Sequence, residues 1–195
     1  MRELVLSATY RQSSQGSAAN AQLDPTNINF WHMERRRMSI EQLRDNVIAV
    51  SGSLSSEGGK SADIDSSTNE RRTVYAKVSR RELNKTLMLF DYPDANVHAA
   101  RRSSSTTPTQ KLFIMNSDFM INHAKTLAER LLTMKSDDSA RIRLAYELLF
   151  AREPEKQELA MAHEFLQQTT ADTTMTNWQQ FAQALLATNE MLYVD

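Results

Sequence analysis

The sequence predicts a mainly α-helical protein: an antiparallel helical array with one or two short β-strands and long irregular loops. Glycine and proline are sparse, with four of each in 195 residues, whereas all-β folds need many tight turns. Apolar residues recur at spacings of three and four over much of the chain, most clearly after residue 116, and this is the period of an α-helix. Helix-capping signals precede several of these stretches.

The N-terminal part is predicted to contain two helices separated by a loop. Residues 2–10 have a helical pattern, and the polar stretch 11–31 is predicted to form a loop or short turns. The second helix begins after Ser39, because Ser39 and Gln42 have the spacing of a capping box, and it ends at Gly52. Apolar residues continue through it at helical spacing: Ile40, Leu43, Val47 and Val50.

The middle of the chain is predicted to be irregular. Residues 51–70 are rich in Ser, Gly and Asp without periodicity, which is typical of a surface loop. Residues 71–80 alternate between apolar and polar side chains and are the best strand in the sequence. An isolated strand needs a partner, from the N-terminal part, from 81–100 or from another chain. The stretch 87–116 is predicted to be partly buried, with a short helix after Pro108.

The C-terminal part has the clearest helical signals. One helix is capped at Asn116 or Ser117, a second has Asp137 and Asp138 at its positive end, and a third starts at Pro154. A further capping box begins the last helix and consists of Thr176 and Gln179. Because the links are short, consecutive helices are predicted to be antiparallel neighbours.

Composition excludes several classes of function. The net charge is −1 with a pI near 6.4, so no global positive field attracts nucleic acid. The absence of cysteine excludes disulfides, thiolate catalysis, Cys-type zinc sites and haem attachment through Cys-x-x-Cys-His. No apolar run is long enough to span a membrane. The opening residues also lack a signal-peptide core, and we expect that an N-terminal part of the protein precedes this chain.

Two basic stretches are hypotheses for anion or glycan binding. Arg35 and Arg36 belong to an arginine triplet, and Arg101 and Arg102 stand in a stretch dense in Ser and Thr. Guanidinium groups match sulfate, phosphate or carboxylate oxygens. The alternative for 100–110 is a solvated loop whose hydroxyls cap the following helix.

A polar segment nearby contains Asp91, Asp94 and His98, which are residue types that ligate metals or bind sugars. The alternative is turn chemistry, because Asp91 and Asp94 flank a Tyr-Pro pair. The spacing matches no metal-binding loop, so we predict no metal site. Asp91 and His98 stay as glycan-binding hypotheses.

The stretch from His32 to Leu54 places charges on the flank of a predicted helix. On a helical wheel Ile48 lies among Glu41 and Arg44, with Asp45 just beyond, which indicates that this flank is partly buried. Buried charges must be paired, so we predict a structural ion network. Its members are Arg37, Glu41 and Arg44. The alternative is an acid–base site in which Glu41 or Asp45 transfers a proton.

Seven blocks, in order, resemble one known family. They are SATYRQSS (7–14), DPTN (24–27), RRRMSIEQLRDNVIAVSGSL (35–54), VYAKVSRRE (74–82), FDYPDANVHAARRSSSTTPTQKLFIMN (90–116), AYELLFAREPEKQEL (145–159) and WQQFAQALLATNEMLYVD (178–195). Together they resemble the PSD-type domain of planctomycete proteins, a C-terminal domain of unknown function found after PSCyt cytochrome-c-like domains. The resemblance implies a single domain over 1–195: N-terminal helices and a Ser/Gly-rich loop (1–70), a strand with an irregular segment (71–116) and a helical array (117–195).

The resemblance also implies a setting. Family members look exported, to the periplasm or cell surface, and haem c is expected only in a neighbouring domain, with no cofactor in this chain. We expect a non-catalytic structural or binding module whose partners are the N-terminal domains of the parent protein or another protein chain. The alternative is a polysaccharide-active or glycan-binding domain that uses residues 91–105 with Glu41 and Arg44.

Overall fold

A computed structural model describes residues 2–66, 69–168 and 174–194. It is mainly α-helical with one two-stranded antiparallel sheet in the described residues, which confirms the predicted fold class. The chain divides into two compact units. The first comprises residues up to Arg37 together with Tyr193 and Val194, and the second runs from Met38 to Leu192.

The first unit consists of short elements. Helices α1 (Arg2–Leu6) and α2 (Ala18–Leu23) bury none of their residues. Strand β1 (Arg36–Arg37) pairs antiparallel with β2 (Tyr193–Val194). The predicted first helix is therefore shorter than 2–10, and the predicted loop 11–31 contains a short helix. Both strands of the sheet lie outside the predicted strand.

Helix α3 (Ile40–Ser51) opens the second unit and has the predicted caps. Ser39 accepts a hydrogen bond from the backbone of Gln42, whose side chain accepts from the backbone of Ser39. Gly52 ends the helix in the left-handed region, with φ 89°. The buried residues of α3 include the four predicted apolar positions and also Arg44, Ile48 and Ser51.

The remaining helices include the predicted ones in the predicted order, together with short helices at Lys85–Leu89 and Asn189–Leu192 that were not predicted. They are α4 (Lys85–Leu89), α5 (Pro108–Asn116), α6 (Asp118–Met134), α7 (Asp138–Phe150), α8 (Lys156–Gln167), α9 (Asn177–Leu186) and α10 (Asn189–Leu192). The predicted caps at Ser117, Asp137 and Thr176 are confirmed. Helix α8 begins two residues after Pro154, since Glu155 forms a capping box with Glu158.

Helix α6 is the centre of the second unit and packs against α3, α5, α7 and α9. Its inward stripe recurs at three- and four-residue spacing and is at most 1 % exposed: Met120, Ala124, Leu127, Ala128 and Leu131. Burying a leucine or methionine side chain contributes about 1.5–3 kcal/mol each. Arg130 on the same helix binds the last turn of α3, donating to the carbonyl of Val50 at 2.6 Å. Helix α3 is thereby positioned on the core.

The link between α7 and α8 is a tight hairpin stabilised by one arginine. Ala151 caps α7 with φ 55°. Arg152 then donates to both carboxylate oxygens of Glu158 and both of Glu190, at 2.7–2.8 Å. Bidentate pairs of this kind fix geometry as well as contributing energy. Arg152 thus joins the start of α8 to α10, and α7 and α8 are in contact, as the short link predicted.

The predicted strand at 71–80 is wrong. Thr73–Tyr75 form a single 3-10 turn, and neighbouring residues make only isolated bridges. Asp45 accepts the backbone N–H of Thr73 at 2.6 Å and its hydroxyl at 2.7 Å, which ties the chain to α3. These bonds from a residue 28 positions away take the place of the strand ladder that the alternation predicted. Thr73 is consequently 3 % exposed while Val74 is 72 % exposed.

Within the described ranges, no helix combines the length and apolar character that crossing a membrane requires.

Candidate functional site

Arg44 is the most deeply buried charged residue of α3, with 3 % of its surface exposed. Its Nη1 donates to the carbonyl of Arg71 at 2.8 Å and to the hydroxyl of Thr73 at 3.2 Å, and its Nη2 donates to the carbonyl of Asn69. The guanidinium also lies over the ring of Phe119, 5.7 Å from its centroid. Arg44 therefore holds residues 69–73 against α3.

The hydrogen-bonding capacity of Arg44 is only partly used. A guanidinium has five N–H donors, and three are used in the bonds just described. The buried Nε has no partner in the described protein. Burial lowers the pKa of Arg44 and the nearby Asp45 and Asp65 carboxylates oppose that effect, and the group stays cationic at neutral pH.

A cavity of about 300 Å³ lies beside Arg44, lined by α3, α5, α6, Thr86 of α4 and residues 64–66. Its walls are largely apolar and include Ile40, Leu43, Ile64, Phe113, Phe119 and Met120. Its polar groups differ in depth: Arg44 is buried, whereas Asp65 and Asp118 are exposed. The cavity thus combines a deep cation with carboxylates near solvent.

His123 completes the polar lining. The Ser51 hydroxyl donates to the carbonyl of Ile48 at 2.8 Å, so it accepts from Nδ1 of His123 at 2.9 Å. This bond assigns the hydrogen to Nδ1 and leaves Nε2 as an acceptor. Burial, with a contribution from Arg44, lowers the pKa of His123 to about 4. The ring is therefore neutral at pH 7.

Glu41 is bound by Arg102, which donates to both carboxylate oxygens at 2.8 Å. Arg102 also lies over the ring of Tyr92 at 5.2 Å. Burial is the largest single effect and raises the pKa of Glu41. The hydrogen bonds from Arg102, the Glu41 backbone and Ser39, together with the charge of Arg102, outweigh burial in sum, so the net effect lowers this pKa. A carboxyl group in this state accepts hydrogen bonds and does not act as an acid near neutral pH.

The observed partners of Glu41 and Arg44 differ from the predicted network. Glu41 binds Arg102, and Arg44 binds backbone carbonyls, because residues 69–73 and 102 fold back onto α3. A helical wheel shows only residues of one helix, so it does not show that these distant residues pack against α3. Arg37 lies in β1, in the other unit, and its part in a network stays a prediction.

The second carboxylate of the acid–base hypothesis, Asp45, is also engaged. It accepts the two bonds from Thr73 and a third from Nε of Arg72 at 3.2 Å. Both carboxylates on this flank of α3 therefore hold the chain in place, which favours the structural interpretation over proton transfer.

The segment 91–105 is anchored by Asp91, which adopts φ 59°. Asp91 accepts the backbone N–H of Ser105 at 2.7 Å and its hydroxyl at 2.8 Å. His98 and Arg101 are exposed on the loop between them. Arg102 of this segment binds Glu41. The anion- or glycan-binding roles of Asp91, His98, Arg101 and Arg102 stay predictions.

Arg35 and Arg36 belong to the first unit and both are exposed. Arg36 pairs through its backbone with Val194. Binding of an anion at these arginines stays a prediction.

The cavity residues His123, Asp65, Asp118 and Phe119 were missed by sequence reasoning. One signal existed, because Phe119 and His123 are four residues apart and so share a face of α6; their rings meet edge to face at 4.6 Å. Among the described residues, no three His, Asp or Glu side chains are grouped to hold a metal ion.

One comparison with known proteins finds a match. The family model PSD1, described as "Protein of unknown function (DUF1553)", matches residues 1–166. Neither the curated proteins nor the solved structures contain a match.

Proposed function

The chain belongs to the PSD1 family of proteins of unknown function, and we propose that it is a non-catalytic assembly module that packs against neighbouring domains of a longer protein. The observation that carries this proposal is the apolar surface of the first unit. Its exposed large apolar residues are Leu4, Val5, Leu6, Tyr10, Leu23, Ile28, Phe30 and Val194, from 40 % to 86 % exposed.

The two short helices of the first unit lack the packing that such helices need. Helices of fewer than about 12 residues are marginal in water and depend on tertiary packing. Helices α1 and α2 have five and six residues and bury none of them. Exposed apolar side chains of this number are available to pack against a partner. A polypeptide surface packed against this unit would supply the burial that both helices lack.

The bonds made by the two carboxylates of α3 support a structural role for this helix. Glu41 is held by Arg102 with a lowered pKa, and Asp45 is held by Thr73 and Arg72. These bonds use Glu41 and Asp45, which both belong to the block 35–54, to position residues 72, 73 and 102.

Substitution of the apolar surface tests the proposal. We expect the 195-residue chain to co-purify with co-expressed N-terminal domains of its parent protein and to bind a hydrophobic dye. The variant Leu23→Ser/Ile28→Ser/Phe30→Ser is expected to lose both the co-purification and the dye binding. Met88→Ser/Met161→Ser is the matched control, since these methionines are 62 % and 61 % exposed in the second unit. If both variants co-purified with the N-terminal domains and bound the dye equally well, the assembly role would be refuted.

The resemblance to planctomycete PSD-type domains supports a further part of the proposal. The parent protein would be exported and would bear haem c in a neighbouring domain, with this chain in the periplasm or at the cell surface. Haem staining of the intact parent protein in fractionated cells tests this setting. A haem-free parent in the cytoplasmic fraction would contradict it.

A second candidate function is glycan binding, favoured by an open groove of about 530 Å³. Tyr92, Glu41 and Asp45 line it. Each carboxylate has about four acceptor sites, so it can accept from sugar hydroxyls in addition to its bonds with Arg102, Arg72 or Thr73. Glycoside hydrolysis requires a carboxyl group with a raised pKa, so the lowered pKa of Glu41 favours binding over cleavage. Affinity electrophoresis in soluble polysaccharides, with Tyr92→Ala as the variant, distinguishes this candidate.

A further inference from the structure

We propose that Phe30, together with Ile28, anchors this chain to a neighbouring domain of its parent protein, and that the ring of Phe30 enters an apolar pocket flanked by a carboxylate on that domain. Both residues belong to the apolar surface of the first unit, so this inference rests on the proposed assembly role. It adds which residues carry the contact and what the partner surface contains.

The loop 24–32 is ordered by its own hydrogen bonds. The carboxylate of Asp24 accepts the backbone N–H of Ile28 at 3.0 Å and that of Asn29 at 2.8 Å. The backbone carbonyl of Asp24 accepts from the indole of Trp31 at 2.9 Å. One aspartate thus binds three later residues of the loop, which fixes the backbone that carries Ile28 and Phe30.

Two residues of this loop have a left-handed backbone. Asn27 adopts φ 54° and Phe30 adopts φ 51°. Asparagine tolerates this region, whereas a bulky residue there is an outlier, because its Cβ lies too close to the backbone. The carbonyl of Phe30 accepts the side-chain amide of Gln12 at 2.7 Å, so a residue from outside the loop helps to hold the strained conformation.

The exposed ring of Phe30 does not offset this strain within the chain. Phe30 is 73 % exposed and Ile28 is 74 % exposed, so neither side chain contributes much apolar burial to the fold. Glycine would adopt the same backbone without strain, and the loop itself therefore has no need of a phenyl ring at this position. Strained residues of this kind cluster at binding sites, where the strain is part of the function. The ring is accordingly expected to be buried against a partner.

An ordered loop with a protruding aromatic ring favours a pocket as its binding site. Aromatic residues that fill desolvated pockets carry a large share of the binding free energy of an interface. A loop that is already ordered also loses little conformational entropy on binding. Phe30 has both properties, and Ile28, two residues earlier, adds apolar area beside it.

The charges near the loop specify the partner further. Residues 2–37 contain five arginines and three carboxylates, and the carboxylate of Asp24 is already bound within the loop. Arg11 is exposed and adjoins Gln12, which binds the carbonyl of Phe30. In the part of the chain that the structure describes, the Arg11 side chain has no hydrogen-bond or ion-pair partner. Because charges across an interface are complementary, a carboxylate of the partner is expected near Arg11.

The same charges disfavour a second copy of this chain as the partner. The commonest dimers place one surface against itself. Such a dimer would bring the excess arginines of both copies together, and like charges across an interface weaken binding. A neighbouring domain that supplies carboxylates satisfies them.

Titration of the full chain with the purified N-terminal domains of its parent protein tests the proposal. Phe30→Gly removes the ring and relieves the backbone strain, so we expect binding at least about thirtyfold weaker, with thermal stability retained. Val97→Gly is the matched control, an apolar loop residue of the second unit that is 65 % exposed, and should bind as the wild type.

The outcomes separate this proposal from the assembly role. If the wild type does not bind, the assembly role fails and the anchor fails with it. If the wild type binds and Phe30→Gly binds equally well, the anchor is refuted while the assembly role stands. A loss of thermal stability in Phe30→Gly would show that the ring supports the fold, and would also overturn the proposal.

Charge reversal and the oligomeric state test the nature of the partner. We expect Arg11→Glu to bind at least about fivefold more weakly, and the wild-type affinity to decrease as salt is raised. Lys156→Glu is the matched control, because Lys156 is exposed at the start of α8 in the second unit. Sedimentation of the chain alone should show a monomer. A dimer that Phe30→Gly abolishes would make a second copy the partner and would refute the neighbouring domain.

Discussion

The helical array after residue 116 and the irregular segment 53–107 belong to the same unit but are stabilised in different ways. The array is held by apolar burial along α6, where Leu127 and Leu131 are fully buried. The segment has a few buried apolar anchors, such as Leu87 and Phe90, and is otherwise attached through charged side chains.

This difference concerns specificity as well as energy. Apolar burial has no preferred direction and contributes in proportion to area. A hydrogen bond to a charged group contributes about 1.5–3 kcal/mol and requires a particular partner in a particular place. The array therefore depends on the area that its apolar residues bury, whereas the segment depends on the particular partners of Arg44, Asp45, Asp91 and Arg102. The four predictions below test this contrast, in order of decreasing effect.

Truncating the core of the array should have the largest effect. Leu131→Ala removes a fully buried side chain of α6 and leaves a cavity, so we expect a loss of about 2–5 kcal/mol in the free energy of unfolding. Urea denaturation followed by circular dichroism measures it. Leu132→Ala, at a position that is 39 % exposed on the same helix, is the control and should cost less than about 1 kcal/mol. Similar losses in both variants would contradict a core organised by α6.

Removing the buried arginine should cost less and act locally. Arg44→Met keeps an apolar stem but leaves the carbonyls of Asn69 and Arg71 without their donor. We expect a loss of about 1–3 kcal/mol, with the helical circular dichroism signal retained. Limited proteolysis should then cleave within 69–76. A variant as stable and as protease-resistant as the wild type would show that Arg44 does not hold this segment.

Acid should destabilise the unit through His123. Its pKa in the folded state is about 4, below the ordinary value of 6.5. Between these pH values the unfolded chain binds a proton at His123 that the folded chain does not bind. The contribution of neutral His123 to the free energy of unfolding is therefore fully present above pH 6.5 and decreases as the pH falls toward 4. Because the ring is only partly buried, we expect about 1–2 kcal/mol in total. Denaturation curves at several pH values for wild type and His123→Gln check it, and an equal slope for both would contradict the assignment.

The exposed pair of Glu41 and Arg102 should have the smallest effect. Their side chains keep 28 % and 37 % exposure, and an exposed pair couples by about 0.2–1 kcal/mol even with good geometry. A double-mutant cycle with Glu41→Gln and Arg102→Met measures the coupling. It should decrease at high salt. A coupling above about 2 kcal/mol, or one insensitive to salt, would mean that this pair stabilises the segment more than Arg44 does.

The same contrast explains what the sequence could predict. Helices α3, α5, α6, α7 and α9 were predicted because their capping residues and apolar spacing are local in sequence. Such signals do not depend on where distant chain lies.

The errors lie where distant partners decide the structure. The alternation of residues 71–80 predicted a strand, but Asp45, 28 residues away, binds Thr73 and imposes a 3-10 turn. The partner of Glu41 is 61 residues away. Side-chain pairing over such separations leaves no periodic signal, so the burial of Arg44 was foreseen from Ile48 but its partners were not.

The candidate site shows the same limit. Residues 91–105 were singled out by composition, and the structure brings Arg102 of that segment to α3 as an anchor. The cavity beside Arg44 combines residues from four helices and a loop, which no single stretch of sequence displays.

Hydrogen–deuterium exchange of Arg44→Met against the wild type tests the central contrast most directly. The account predicts faster exchange for amides that lie in residues 62–76, with the protection of α6 and α9 unchanged. Loss of protection throughout the unit, or no change at 62–76, would contradict the claim that charged side chains attach this segment to an independently stable helical array.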